Sequence, residues 1–330
     1  MRIAALVIAC LACLPFAIAE EEAEPAHPLG CWAGLVGGEW HARGSWETGS
    51  PFVARLKAEW GPAKSFLRLK TFIPVKDGEH VRYDAVYYLH PAKKKPAYFS
   101  AGYEGAASAG TFEIREDTVT FVHPVAGDAS RGLKSTWQFV TKDRCRWIAW
   151  QGESDRWTKL IAVEFVRGEQ PAKKLIKTSP PGPHHLAPLD RFVGGRFKVT
   201  GLLANETPVS GTLEHTWGVT HQVMVTKTFV TREEEETLGF VGFTWWDAER
   251  KTFRMIEFSA FGVFSEGTVT VKQDTVVLAF TTWSKNGAKD YRQWTLFETD
   301  DRISWYVEQK TEEGWKKVTE WMVGERMNER

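Results

Sequence analysis

The sequence has few of the residues and none of the short motifs that usually carry catalytic or metal chemistry. Its 330 residues include four cysteines and nine histidines, and two of the cysteines lie within the first 13 positions. Beyond those two there is no C-x-x-C pair. The whole chain lacks an H-E-x-x-H motif, a Walker loop and a G-x-S-x-G nucleophile turn. These absences exclude a motif-based assignment as a zincin, a P-loop nucleotide hydrolase or a serine hydrolase.

The chain also lacks net charge and, after its N-terminus, any long apolar run. It has 42 basic and 42 acidic residues, so no strong electrostatic field attracts nucleic acid or an anionic membrane. No later segment has the length and hydropathy of a transmembrane helix. We therefore expect no nucleic-acid partner and no transmembrane segment, and the sequence leaves the oligomeric state open.

The first 19 residues have the pattern of an export signal. Arg2 precedes an apolar stretch that ends at Phe16, and residues 17–19 (AIA) fit a small-x-small cleavage site. We predict a signal peptide over residues 1–19, a disordered segment over residues 20–29, and an exported protein, periplasmic or secreted. Lipoprotein anchoring at one of the two early cysteines is the alternative.

What the sequence has in abundance is internal repetition. Trp60-Gly61 and Lys70-Thr71-Phe72 recur as Trp217-Gly218 and Lys227-Thr228-Phe229, in each case 157 positions later. Many other identities keep this offset, which indicates a tandem duplication of a unit of ordinary domain size. We predict one domain over residues 30–168, a second over 187–330, and a Pro-rich linker over 169–186.

Each copy has the pattern of many short strands. Stretches rich in aromatic and β-branched residues, such as 65–73 and 82–89, alternate with turn signals such as Asp77-Gly78. About ten such strands per copy, without a sustained helical period, predict an all-β protein of two tandem antiparallel up-and-down β-barrels, because closure removes exposed sheet edges. A β-sandwich is the alternative.

The opening of each copy resembles that of a known family. Residues 35–40 (LVGGEW) and 192–197 (FVGGRF) are similar to the L-x-G-x-W opening of lipocalin-like (calycin) barrels. Together with the Trp-Gly and Lys-Thr-Phe elements they resemble a bacterial lipocalin-like family of unknown function. The resemblance covers both halves and implies closed barrels, each around a central cavity.

The same resemblance extends distantly to nitrobindin, a ten-stranded haem barrel. Nitrobindin-like domains ligate haem through a histidine near the end of the domain, whereas the last histidines of the two copies are His123 and His221. No histidine is retained between the copies. We therefore expect no haem or other cofactor and no shared metal or catalytic site, and we favour a binding protein over an enzyme.

Residues retained in both copies form the candidate ligand site. Lys70 and Phe72 share one face of a strand, because side chains alternate along it, and the matching lysine and phenylalanine of the second copy do the same. An ammonium beside aromatic walls suits an anionic amphipathic ligand. A position at the barrel rim, with the ammonium pointing outward, is the alternative. The candidate residues are Trp60, Lys70, Phe72, Trp217, Lys227 and Phe229.

Two cysteines, Cys31 and Cys145, remain after the predicted signal peptide. Exported proteins commonly pair their cysteines. Cys31 precedes the first strand and Cys145 lies on a late strand, and a closed barrel makes its first and last strands neighbours. We therefore predict a disulfide between them.

These features predict an exported protein that binds a small apolar or anionic amphipathic ligand in one or both barrels. One alternative is a structural or interaction module with filled barrels. Another is a cell-envelope isomerase or hydrolase that uses a barrel cavity. The fold by itself does not decide among the three.

Overall fold

The computed structural model describes residues 29–125, 128–153, 156–168, 176 and 180–327. The predicted signal peptide and most of the predicted linker lie outside these residues. The chain divides into two compact units with the boundary between Pro183 and His184. Each unit contains one antiparallel barrel.

The first barrel is a closed ring of ten strands. The strands are β1 (Glu39–Ser45), β2 (Pro51–Trp60), β3 (Phe66–Val75), β4 (Gly78–His90), β5 (Lys95–Gly102), β6 (Ala107–Arg115), β7 (Thr118–Val125), β8 (Asp128–Thr141), β9 (Arg144–Glu153) and β10 (Arg156–Arg167). Each strand pairs with its neighbour in sequence, and β10 closes the ring against β1. A short helix, α1 (Gly30–Ala33), precedes β1, and a 3₁₀ turn at Pro62–Lys64 joins β2 to β3.

The second barrel repeats the ring. Its strands are β11 (Gly195–Leu202), β12 (Pro208–Trp217), β13 (Val223–Arg232), β14 (Glu235–Asp247), β15 (Thr252–Ser259), β16 (Phe264–Lys272), β17 (Thr275–Ser284), β18 (Gly287–Phe297), β19 (Arg302–Thr311), β20 (Gly314–Lys317) and β21 (Met322–Arg326). Pairing runs in order from β11 to β19, and β21 closes the ring between β19 and β11. 3₁₀ helices at Ala187–Phe192 and Val219–His221 correspond to α1 and the turn of the first barrel.

Two closed, ten-stranded antiparallel barrels confirm the predicted fold class. The ring closures, β10 on β1 and β21 on β11, exclude the β-sandwich alternative. Among the described residues no helix is long and apolar enough to cross a membrane.

The last strand of the ring differs between the barrels. In the first, a β-bulge between Lys159 and Ile161 interrupts the pairing of β10 with β9. In the second, the strand stops at Lys317, which corresponds to Lys159, and resumes as β21. Between the two pieces the Val307 N–H donates to Thr319 Oγ1 at 2.9 Å. The second barrel thus enlarges a bulge that the first already has.

An arginine closes the same end of each barrel. The Arg167 guanidinium lies 4.5 Å from the Trp40 ring centroid, and the Arg326 guanidinium lies 4.5 Å from that of Phe197. Each arginine also donates to a main-chain carbonyl ahead of the first strand, that of Gly34 in one barrel and that of Arg191 in the other. Cation–π contact and hydrogen bonding together tie the first strand, the last strand and the preceding turn to one another.

Residues next to the predicted domain bounds pack against the barrels. Leu29, at the end of the segment predicted to be disordered, is fully buried in the first core. Leu186, at the end of the predicted linker, is equally buried in the second core. Ile176 donates its N–H to the Pro74 carbonyl at 2.9 Å, so this linker position is held against the first barrel. Burial of these apolar side chains extends each core to the residue that precedes the predicted start of the domain.

Candidate functional site

The interior of the second barrel contains a cavity of about 110 Å³. An engineered apolar cavity of about 150 Å³ in another protein holds benzene, so this one suits a molecule of that size or somewhat smaller. Its wall is mainly apolar and includes Phe192, Met224, Met255, Val269, Phe280 and Trp305. Its polar lining is His215, Thr226, Thr228, Thr244, Glu257, Gln293 and Thr295.

The cavity exists because small side chains replace aromatic ones at matching positions. In the first barrel the Trp32 and Tyr87 rings stack with centroids 4.7 Å apart, and the Phe112 and Phe121 rings stack at 4.8 Å. These rings are buried in the first core. From the first barrel to the second, the exchanges are Trp32 to Leu189, Tyr87 to Thr244, Tyr98 to Met255, Phe112 to Val269 and Phe121 to Leu278. All five smaller residues line the cavity.

A row of residues crosses one wall of the cavity on four adjacent strands. His215 pairs in register with Thr226, Thr226 with Gly242, and Gly242 with Glu257. Residues directly opposite each other on paired strands point to the same face of a sheet, and all four line the cavity. His215 Nδ1 lies 3.0 Å from Thr226 Oγ1.

Glu257 brings a carboxyl group into this cavity without a partner among the described residues. Burial raises the pKa of Glu257 to about 8, and no charged neighbour contributes to the shift. The surface that Glu257 keeps accessible faces the cavity. At pH 7 the carboxyl therefore holds its proton and offers one donor as well as acceptor capacity.

His215 is also neutral at pH 7. Burial, and secondarily the positive charge of Arg326, lowers the pKa of His215 to about 4. Its ring lies 5.1 Å from that of Phe192 and 6.2 Å from that of Phe197. Within the part of the chain that the structure describes, its Nε2 atom has no hydrogen-bond partner. The buried ring is held by Thr226 and by aromatic contacts.

The predicted lysine site of the second copy lies outside the cavity. Lys227 alternates along β13 with Thr226 and Thr228, which line the cavity, so it points to the outer face. Its Nζ atom lies 3.7 Å from Glu214 Oε1. Phe229 shares that outer face and lies under a guanidinium, that of Arg196, at 5.4 Å. Neither residue lines the cavity.

The matching residues of the first copy are arranged in the same way. Lys70 is half-buried, and desolvation, with the nearby charge of Arg68, lowers its pKa. Phe72 lies 4.0 Å beneath the Arg55 guanidinium. Lys70 alternates along β3 with Leu69, which is buried in the core. It therefore points away from the barrel interior.

The two tryptophans of the predicted site are peripheral to the cores. Trp60 and Trp217 are partly buried and pack against the first and second core respectively. The Trp217 ring also lies 5.1 Å from that of His184 and 5.3 Å from that of His221. None of the three residues predicted for the second barrel, Trp217, Lys227 and Phe229, lines its cavity.

Cys31 and Cys145 are free thiols in the structure, in place of the disulfide that we predicted. Both pack into the apolar core of the first barrel. Burial raises the pKa of Cys31 to about 11 and that of Cys145 to about 12. Such surroundings favour the neutral, unreactive thiol.

The polar cavity residues are not retained between the two copies, so the repeat pattern did not indicate them. His215, Thr226, Gly242 and Glu257 replace Ala58, Leu69, Ala85 and Ser100 of the first copy. A difference between the copies could have indicated these residues: at inward positions the second copy loses aromatic residues and gains polar ones.

Comparisons with known proteins assign no family. No protein-family model and no curated protein sequence matches the chain. A DUF3598-family protein of unknown function from Nostoc punctiforme is 11% identical; the alignment covers 90% of this chain and 98% of that one, with a TM-score of 0.26. A redesigned β-barrel is 13% identical over 42% of this chain and 94% of its own, with a TM-score of 0.25. A triple mutant of the Rhodopseudomonas blastica porin is 7% identical over 88% and 98%, with a TM-score of 0.21. TM-scores this low do not support a shared fold or function. The strand pairing of the chain itself shows that it forms two tandem β-barrels.

Proposed function

We propose that this protein is an exported, lipocalin-like binding protein that holds a small, mainly apolar molecule inside its second barrel. The first barrel is then a filled structural module. Residues 1–19 support export, and residues 35–40 and 192–197 support the lipocalin likeness. The observation that carries the proposal is the contrast between an aromatic-filled interior and a hollow one on the same ring of strands.

The smaller side chains around the cavity give up packing contacts that the first barrel has, which supports a functional reason for these exchanges. The first barrel shows that the same ring of strands accommodates larger side chains at the same positions. A ligand that fills the space would recover the lost contacts.

The size of the cavity narrows the ligand class that the sequence suggested. A volume of about 110 Å³ is too small for a long acyl chain. Of the described residues that line it, none is a lysine or an arginine, so an anionic head group would have no counter-ion. The ligand that fits is compact, with a small polar group on an apolar body.

Refilling the cavity tests the proposal. In the double variant Val269→Phe, Leu278→Phe, the ring pair of Phe112 and Phe121 is rebuilt in the second barrel. We expect benzene and n-butanol to raise the apparent unfolding temperature of the wild type and to leave that of the variant unchanged, because the binding space is occupied. The measurement is thermal unfolding followed by circular dichroism at increasing ligand concentration.

Thr270→Phe, at an exposed position of the same strand, is the matched control and should respond to ligand as the wild type does. If the ligands raise the unfolding temperature of the wild type and of the refilled variant equally, they bind at a site other than the cavity. The proposal would then be wrong.

Acid–base catalysis in the same cavity is the second candidate. It is favoured by one observation: a carboxyl that holds its proton and a neutral imidazole, Glu257 and His215, line one cavity. Groups with such divergent pKa values are the usual pair for general acid and general base roles. Recovery of a bound carbonyl compound, chemically unchanged after prolonged incubation, would favour binding over catalysis.

A further inference from the structure

The polar row of the second barrel, which runs from His215 to Glu257, is interrupted by a glycine. Gly242 leaves a gap in it: a Cβ atom there would lie 3.7 Å from the Thr226 Cβ and 3.8 Å from Glu257 Oε2. The first barrel has Ala85 at the position of Gly242. The second barrel thus leaves room for one methyl-sized group beside the Thr226 and Glu257 side chains.

Among the residues that the structure describes, no lysine or arginine forms an ion pair with the Glu257 carboxyl. His215, in the same row, is engaged with Thr226. Arg254 and Glu266, on β15 and the neighbouring β16, pair with each other. The strand register places Lys289 on the inner face three strands away, and its charge does not contribute to the state of Glu257.

We propose that the cavity of the second barrel binds a small primary amine as its ammonium ion, with the nitrogen between the Glu257 carboxylate and the Thr226 hydroxyl. The alkyl body then lies against the apolar wall. This inference rests on the proposed function, since it names the ligand class for the same cavity.

The chemistry of the row selects an ammonium over other head groups. An ammonium has three donors, and the Glu257 oxygens and Thr226 Oγ1 are acceptors for them. Charge-assisted hydrogen bonds of this kind are the stronger ones. A carboxylate ligand would face Glu257 without a counter-ion, and an alcohol would form only neutral hydrogen bonds.

Binding of the amine is coupled to the release of a proton. The carboxylic acid of Glu257 gives its proton to solvent, and the resulting carboxylate pairs with the ammonium, so one proton leaves for each amine bound. Burial raises the pKa of Glu257 to about 8. The affinity should therefore fall about tenfold for each pH unit below 8, because the acid must first ionise.

The test is calorimetric titration of the full chain with three ligands of matched shape: n-butylamine, n-butanol and butyrate. Titrations at pH 7 in phosphate and in HEPES, which differ in ionisation enthalpy, count the protons released. We expect n-butylamine to bind most tightly and to release about one proton. Glu257→Gln should weaken amine binding about 10- to 150-fold and leave n-butanol binding unchanged.

Glu266→Gln is the matched control, because Glu266 is paired with Arg254 and does not line the cavity. It should leave the amine affinity unchanged, and circular dichroism verifies that each variant is folded. If n-butanol or butyrate binds as tightly as n-butylamine, or if no proton is released, the amine inference is wrong and the proposed function stands. If none of the three ligands, nor benzene, binds, the proposed function fails and the amine inference fails with it.

Discussion

Two ionisable side chains inside the second barrel, Glu257 and His215, make stability depend on pH in opposite senses. The folded pKa of Glu257 is about 8, above its usual value of 4.5. The folded pKa of His215 is about 4, below its usual value of 6.5. In both cases burial favours the neutral form. The fold therefore holds a proton on Glu257 that the unfolded chain releases, and excludes one from His215 that the unfolded chain binds.

The free energy of unfolding should follow these two titrations. Of these two groups, only Glu257 differs in protonation between the folded and unfolded states from pH 6.5 to 8, so its contribution to stability should fall by about 1.4 kcal/mol per pH unit as pH rises. Between pH 4.5 and 6.5 the His215 contribution, which grows with pH, offsets the Glu257 loss. Glu257→Gln should instead gain stability up to pH 6.5 and then level off. Urea titrations across this range measure both profiles, and parallel profiles would contradict the buried, unpaired state of Glu257.

The sequence predicted least well which individual residues line the cavity. Lys70 and Lys227 are identical in the two copies, yet both lie on outer faces. Glu257 differs between the copies and lies inside. Residues that are identical in both copies indicate a feature that both copies share, and that feature is the ring of strands. A site that only one copy has cannot be found in that way.

At the scale of single elements, one side chain, that of Thr319, accepts a main-chain hydrogen bond at the break in the last strand of the second barrel. The Thr319 hydroxyl accepts a hydrogen bond from the buried Val307 N–H at 2.9 Å. Thr319 is itself buried. We expect Thr319→Val to lower the free energy of unfolding by about 1–3 kcal/mol, because the buried N–H loses its acceptor.

Thr311→Val provides the comparison for that measurement. The Thr311 hydroxyl donates to the Gly314 carbonyl in an exposed hairpin, and its loss should cost under about 0.5 kcal/mol. Urea unfolding of both variants gives the two values. Similar losses would show that the Thr319 hydrogen bond does not hold the strand break.

The strands themselves were predictable because alternation and turn residues are local signals. Asp77-Gly78 falls at the β3–β4 hairpin as expected. The break between β20 and β21 was not predicted. It depends on hydrogen bonds between groups that are distant in sequence, such as the Val307 N–H and the Thr319 hydroxyl, and local sequence patterns do not predict such pairs.

At the scale of the whole molecule, the duplication predicted two barrels, and a buried leucine lies one residue ahead of the predicted start of each. Leu186 is buried in the second core, one residue ahead of the predicted start. We expect the fragment 184–330 to unfold cooperatively, and the fragment 187–330 to be less stable by about 2–4 kcal/mol because it lacks this leucine. Denaturant unfolding followed by circular dichroism compares them.

Leu186→Ala within the fragment 184–330 is the control and should reproduce most of that loss. If the two fragments are equally stable, the packing of Leu186 contributes nothing. Residue 187, the start predicted from the repeat, would then be sufficient as the start of the stable domain.

The contrast between a filled and a hollow interior also indicates how the two copies diverged after the duplication. Five exchanges of an aromatic residue for a smaller one are among the inward differences between the two interiors, and both rings keep ten paired strands. Duplication allows one copy to keep a complete aromatic core while the interior of the other changes. Each step between the two states changes one buried side chain and leaves the strand pairing in place. A filled and a hollow barrel are thus connected by single substitutions, and a route through such substitutions is open in either direction.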